Sequence, residues 1–135
     1  MKIHHIGYLV KKIEKSIAIF EELGFTLTKD IVLDEYRQAD ICFLEKEGYV
    51  VELVSPVSKE SVVAQLMKDL GNTPYHICYE TDNIEEEINN LMKQHYVVCS
   101  EIHSATAIDN KKVCFMINPY IGMIELVEIK KEVAG

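Results

Sequence analysis

Arginine is almost absent from this chain: Arg37 is the only one. With 14 basic residues against 22 acidic ones and a formal net charge of −8, there is no basic surface of the kind that tracks nucleic-acid phosphates or an anionic membrane. No apolar run approaches the roughly 20 residues that span a bilayer, so no membrane partner is expected. The four cysteines, Cys42, Cys78, Cys99 and Cys114, form no CxxC pair, and the opening MKIHHIGYLV runs into patterned sequence without a signal-peptide core. Free thiols in a reducing cytoplasm are the expectation. No segment is low in complexity. What is left is a globular chain of 135 residues, the size of one domain, with small molecules or other proteins as its partners.

What the sequence does contain is a repeat. HIGYLVKKIEKSI from His5 and HICYETDNIEEEI from His76 align without a gap at His, Ile, Tyr, Ile, Glu and Ile. Ile3 to Val10 reads as a strand, and Lys12 to Leu23 as a helix with Ile13, Ile17 and Phe20 on one face and Gly24 as its stop. Three further strands follow, FTLTKDIV, QADICFLE and YVVELVSP, the last two separated by Lys46-Glu47-Gly48. The run KESVVAQLMKDLG reads as a connecting helix, with Ser58 as N-cap and Gly71 as stop. Then the pattern returns: Ile84, Ile88 and Leu91 repeat the first helix face, VCFM at Val113 answers ICFL at Ile41, and IELV at Ile124 answers VELV at Val51. The expected fold class is therefore α+β, with two tandem βαβββ modules forming one duplicated domain over residues 1–135. Module one covers about residues 1–57, the connecting helix about 58–71 and module two about 72–130.

Side chains alternate along a strand. Ile6, Tyr8 and Val10 should pack under the helix while His5, Gly7 and Leu9 face the other way; His76 and Cys78 should oppose Ile77 and Tyr79. Val51 and Leu53, like Ile124 and Leu126, go beneath a helix, which sends Glu52 and Glu125 to the histidine face. A carboxylate in the middle of an apolar strand is costly unless compensated. One explanation is that this face is wet, as in many antiparallel sheets. The other follows from the matched placement of one His and one Glu in each module: four side chains forming one site for a divalent ion, with Zn, Ni, Co, Mn or Fe(II) all suited to imidazole and carboxylate.

Histidine opening a βαβββ module twice, with a glutamate in each closing strand, resembles the vicinal oxygen chelate superfamily, which includes glyoxalase I (lactoylglutathione lyase), methylmalonyl-CoA epimerase and extradiol dioxygenases. The resemblance runs from HHIGYLV to GMIELVE, and VELVSPVSKESVVAQLMKDLG, YHICYETDNIEEEI and IGMIELVE are most similar to the epimerase-like branch. It implies a metal site on the concave sheet face, with His5, Glu52, His76 and Glu125 as ligands of one divalent ion. It also implies catalytic roles for Glu125 and Glu52 in moving a proton next to a carbonyl through an enediolate or enolate. The implied partners are a small-molecule carbonyl or thioester substrate and a second copy of the chain in a homodimer. Two positions depart from the named relatives: Leu9 stands where glutathione-binding glyoxalases tend to have arginine, and Ile41 where bacterial epimerases place a second catalytic glutamate. Two rivals stand beside the isomerase or lyase reading. One is an Fe(II) extradiol dioxygenase, against which a fourth protein ligand, Glu52, counts. The other is a metal-free binding protein of the bleomycin-resistance kind.

Other polar residues are expected to be structural. His4 points away from His5; His95 ends a helix, where a cation suits the dipole; and His103 lies in the solvated loop SEIHSATAIDNKK. Cys78 and Cys114 read as strand-interior hydrophobes. Glu85, Glu86 and Glu87 follow Asp82 and Asn83 as a helix start. Arg37 pairs either a substrate anion or one of its neighbours Asp34 and Glu35.

Overall fold

The computed structural model describes residues 1–130. The chain separates into two compact units, His5–Tyr75 and Met1–His4 with His76 onward, each with its own core.

In the first unit, β1 (Ile3–Leu9) leads into α1 (Ile13–Glu22), followed by β2 (Thr26–Asp34), β3 (Ala39–Lys46) and β4 (Tyr49–Pro56). The strand order is β2-β3-β4-β1: β2, β3 and β4 form an antiparallel meander, and β1 lies parallel to β4 with Ile6 opposite Val51 and Leu9 opposite Val54. The two-residue turn between β3 and β4 places Glu47 and Gly48 at φ of 53° and 86°. Both central positions of such a hairpin require positive φ, which Gly48 adopts without strain.

The α1 face expected from the sequence packs as read. Ile13, Ile17 and Phe20 cover Val10, Cys42, Leu44, Val51 and Leu53, and Phe20 meets Tyr8 and Phe25 edge-to-face at 5.4 and 5.3 Å. The buried cluster takes in Tyr8 and Val10 but stops short of Ile6, which is 38% exposed rather than covered by the helix. The connecting helix is shorter than its sequence pattern. Its regular part, α2, spans only Ala64–Leu70, and Ser58 does not cap it. Ser61 is one reason: its hydroxyl donates to the Arg37 carbonyl at 2.6 Å, tying the segment down as turns before the helix begins.

The second unit repeats the order of elements with one break. β5 (Thr73–Thr81) leads into α3 (Ile84–Lys93), then β6 (Val97–Val98), β7 (His103–Ala105), a 3-10 turn (Thr106–Ile108), β8 (Lys111–Asn118) and β9 (Gly122–Glu128). β5 lies parallel to β9, β9 pairs β8, and β6 and β7 both pair β8. Where the first unit has the continuous β2, this one has two short strands, because the amides of Cys99 and Ser100 both donate to the Phe115 carbonyl, at 2.8 and 3.3 Å. His103 consequently sits in a strand and is half-buried rather than in a solvated loop. Asn83 caps α3 through its side chain, which accepts from the Glu86 amide at 3.1 Å. Ile84, Ile88 and Leu91 bury against Cys114, Met116, Ile124 and Leu126.

All four cysteines are free; Cys42, Cys78 and Cys114 are buried and Cys99 is exposed. Burial, reinforced by the negative charges of Asp30 and Glu52, pushes the Cys42 thiol from its ordinary value of 9.0 up to about 12. Native protein should therefore expose one thiol, Cys99, to a water-soluble disulfide reagent, and four after denaturation without reductant. Because the folded-state pKa of Cys42 is raised, the unfolded chain ionises first. The urea midpoint should fall as pH rises from about 9 towards 12, and Cys42→Ala should flatten that fall.

Candidate functional site

The alternation along β4 and β9 decides what the glutamates meet. Val51 and Leu53 are committed to the core under α1, and Ile124 and Leu126 to the core under α3, so Glu52 and Glu125 emerge on the sheet face opposite the helices. That face is not wet. Glu52 and Glu125 are both 0% exposed, with His5 at 1% and His76 at 3%, which overturns the explanation by a solvated sheet face.

Each unit joins its own pair. In the first, His5 Nε2 on β1 lies 3.5 Å from Glu52 Oε1 on β4. In the second, His76 Nε2 on β5 lies 3.1 Å from Glu125 Oε1 on β9. The parallel pairings that bring them together have the same form: Glu52 is level with Gly7 and Glu125 with Cys78, each two residues after the histidine. A phenylalanine completes each arrangement. Phe43 on β3 is in register with Glu52 and stands edge-on to the His5 ring at 5.4 Å and 81°; Phe115 on β8 is in register with Glu125 and stands edge-on to His76 at 5.2 Å and 87°. His103 stacks on Phe115 at 6.4 Å and 22°. The phenylalanines escaped the sequence reading, although the repeated ICFL and VCFM carry them at matching positions.

The donor chemistry of each pair fits a divalent ion. Imidazole nitrogen and carboxylate oxygen, each bound at about 2.1 Å, stand roughly 3.0–3.4 Å apart on neighbouring vertices of an octahedral or tetrahedral shell, close to the two separations found here. Phe43 and Phe115 hold the imidazole planes from the side and keep the surroundings apolar, which strengthens electrostatic interactions at the pair.

Arg37 also has a role that the sequence did not reveal. It lies in the β2–β3 loop, only 2% exposed. Its Nη1 and Nη2 donate to Glu52 Oε1 and Oε2 at 3.3 and 3.1 Å, its Nε donates to Asp34 Oδ2 at 2.9 Å, and its Nη1 also donates to the Tyr75 hydroxyl at 3.3 Å. Of the partners open to it in sequence, Asp34 is one that it pairs, and Glu52 is an acidic partner that the sequence did not suggest. The loop makes this possible: Gln38 at φ 50° turns the chain back into β3, and the Arg37 amide is held by Asp34 Oδ1 at 3.2 Å.

Comparison with known proteins shows the family and the fold. The glyoxalase/bleomycin resistance protein/dioxygenase superfamily matches the chain over residues 4–115. The mitochondrial methylmalonyl-CoA epimerase of Homo sapiens is 28% identical over 95 residues, which is 69% of this chain and 53% of that protein, so the chain spans about half the length of this curated relative. A hypothetical protein from Bacillus halodurans C-125 has the same fold, with a TM-score of 0.82 at 23% identity over 99% of this chain and 98% of that one. So has a variant methylmalonyl-CoA epimerase of Streptomyces coelicolor in complex with 2-nitronate-propionyl-CoA, with a TM-score of 0.82 at 16% identity over 98% and 99% of the two chains. The α+β architecture is the vicinal oxygen chelate fold.

Removing the guanidinium would leave Glu52 and Asp34 as buried carboxylates stripped of their main cation. Arg37→Met should lower the unfolding free energy by about 3–5 kcal/mol in urea titrations. The double variant Arg37→Met with Glu52→Gln should lose less, because one of the stranded charges is gone.

Proposed function

The chain belongs to the glyoxalase/bleomycin resistance protein/dioxygenase superfamily, and from that premise we propose that it is a metal-dependent isomerase or lyase that moves a proton on the carbon next to a carbonyl. In this reading His5, Glu52, His76 and Glu125 together hold one divalent ion, Zn, Ni, Co or Mn, and the substrate is a small carbonyl compound or thioester. The observation that carries the reading is the complete burial of a His–Glu pair in each unit. Two ionisable pairs on otherwise apolar strands are costly to the fold and are explained by a cation they enclose.

A divalent ion in that position supplies electrophilic stabilisation of the charge that develops on the substrate oxygen. The protein's own share is positional. Phe43 and Phe115 orient the imidazoles and exclude water, and Glu125 and Glu52 are the carboxylates proposed to accept the proton and return it. The relatives support the epimerase side of this reading, since the human and Streptomyces proteins are methylmalonyl-CoA epimerases. One observation favours a lactoylglutathione lyase-like shift instead. Inversion at carbon calls for a proton acceptor on one face and a donor on the other, and Ile41, where the resemblance puts a second catalytic glutamate, is a fully buried apolar residue on the same strand face as Phe43. A shift between neighbouring carbons needs only one carboxylate.

The proposal places the protein in the cytoplasm as a homodimer. Four free thiols suit a reducing compartment, and no helix among the described residues is long and apolar enough to cross a membrane.

Elemental analysis of purified protein should find one divalent ion per chain, with His76→Ala and Glu125→Ala each depleted. Full occupancy in both variants would rule out the ligand assignment. Deuterium incorporation from solvent should then be followed by mass spectrometry with methylmalonyl-CoA, the glutathione hemithioacetal of methylglyoxal and a panel of small 2-oxo and 2-hydroxy carbonyl compounds. A true substrate exchanges its proton without consuming oxygen, and Glu125→Gln slows that exchange by far more than it weakens metal binding. Catechol cleavage with oxygen uptake would move the protein to the dioxygenases. Tight binding of a ligand with neither exchange nor metal would make it a binding protein.

A further inference from the structure

The two glutamates sit at matched places and are not held alike. Both oxygens of Glu52 accept from one guanidinium, and the shorter of the two contacts, 3.1 Å, falls on Oε2. Oε1, at 3.3 Å from Nη1, is the oxygen that approaches His5 Nε2. The guanidinium is itself held by Asp34 through Nε and by Tyr75 through Nη1, and Ser61 holds the backbone carbonyl of Arg37. The second module carries no arginine at the matching position. The offset that carries Ile41 and Phe43 onto Val113 and Phe115 carries Arg37 onto Asp109, and the chain has no second arginine.

We infer that Arg37 is a positioning residue for the proposed metal site: it clamps Glu52 so that this carboxylate presents Oε1 alone, as a one-oxygen ligand beside His5. A planar fork holds a carboxylate at two points and sets its rotation about the last side-chain bond, which a single ammonium cannot do. With Oε2 turned onto the guanidinium, Glu52 is kept from closing both oxygens on one ion. A glutamate at the second ligand position is thereby held to the one-oxygen geometry of an amide side chain. The inference rests on the four-residue metal reading proposed above and adds how its second ligand is held.

The test uses Co(II) as probe in the full-length protein, because its visible absorption reports coordination number and geometry independently of turnover. Arg37→Gln should change the Co(II) spectrum and weaken binding by roughly 10- to 100-fold in competition with a chromophoric chelator. Arg37→Lys, which keeps the charge and loses the fork, should restore fold stability more than it restores the spectrum. Asp34→Asn, which touches only the far side of the guanidinium, should shift the spectrum the same way by a smaller amount, and it decides the matter if Arg37→Gln does not fold. Parental spectrum and affinity in a folded Arg37→Gln protein, or in Asp34→Asn where that variant decides, would overturn the inference while leaving the ligand assignment intact. Absence of Co(II) binding in the parent protein would overturn both.

Discussion

A carboxylate placed at the centre of an apolar strand must be compensated, and much of this protein follows from having two of them. In VVELV and MIELV the neighbours of the glutamate are claimed by the helix-side cores, so neither strand can shift by one residue without exposing Leu53 or Leu126 and driving the acid under a helix. The register is fixed by the hydrophobic residues, and the glutamate is carried to the opposite face as a consequence. There the parallel partner strand meets it with a histidine and the antiparallel partner with a phenylalanine. Three strands of each sheet are thus committed to one buried polar pair.

The commitment of Arg37 also limits what the molecule can recognise. Its only guanidinium is spent on internal carboxylates, so an anionic group on a ligand has to be met by lysine ammonium groups or by backbone amides, both weaker in directional selectivity than a two-point fork.

How much of this was legible in the chain depended on the range of the interaction involved. Period-two alternation is a local property, and it placed His5, Glu52, His76 and Glu125 correctly on the face opposite the helices, together with Ile13, Ile17 and Phe20 beneath α1 and Ile84, Ile88 and Leu91 beneath α3. It failed at Ile6, which stays 38% exposed and outside the cluster beneath α1. The late start of α2 was hidden because Ser58 and Ser61 both look like caps, and only the tertiary contact of Ser61 with the Arg37 carbonyl shows how one of them is used. Arg37 itself was read against its neighbours in sequence, whereas one of its two acidic partners, Glu52, lies two strands away and is brought within reach by a loop conformation with Gln38 at positive φ. His103 was misplaced for a similar reason: the double hydrogen bond onto the Phe115 carbonyl breaks the strand and delivers the ring to Phe115.

The parallel pairing of the first and last strands in each unit carries a consequence for the order in which the molecule forms. A hairpin such as β3–β4 closes through a two-residue turn, but β1 finds β4 only after the helix and both intervening strands are in place, and the same holds for β5 and β9. Pairings this distant along the chain are entropically the last to be rewarded and make folding slow relative to local contacts. On the growing polypeptide, His5 leaves the ribosome long before Glu52, and His76 long before Glu125. Under the proposed metal reading, an ion met by a half-made chain would find an imidazole without its carboxylate, so choice among ions would fall to strands that have already paired.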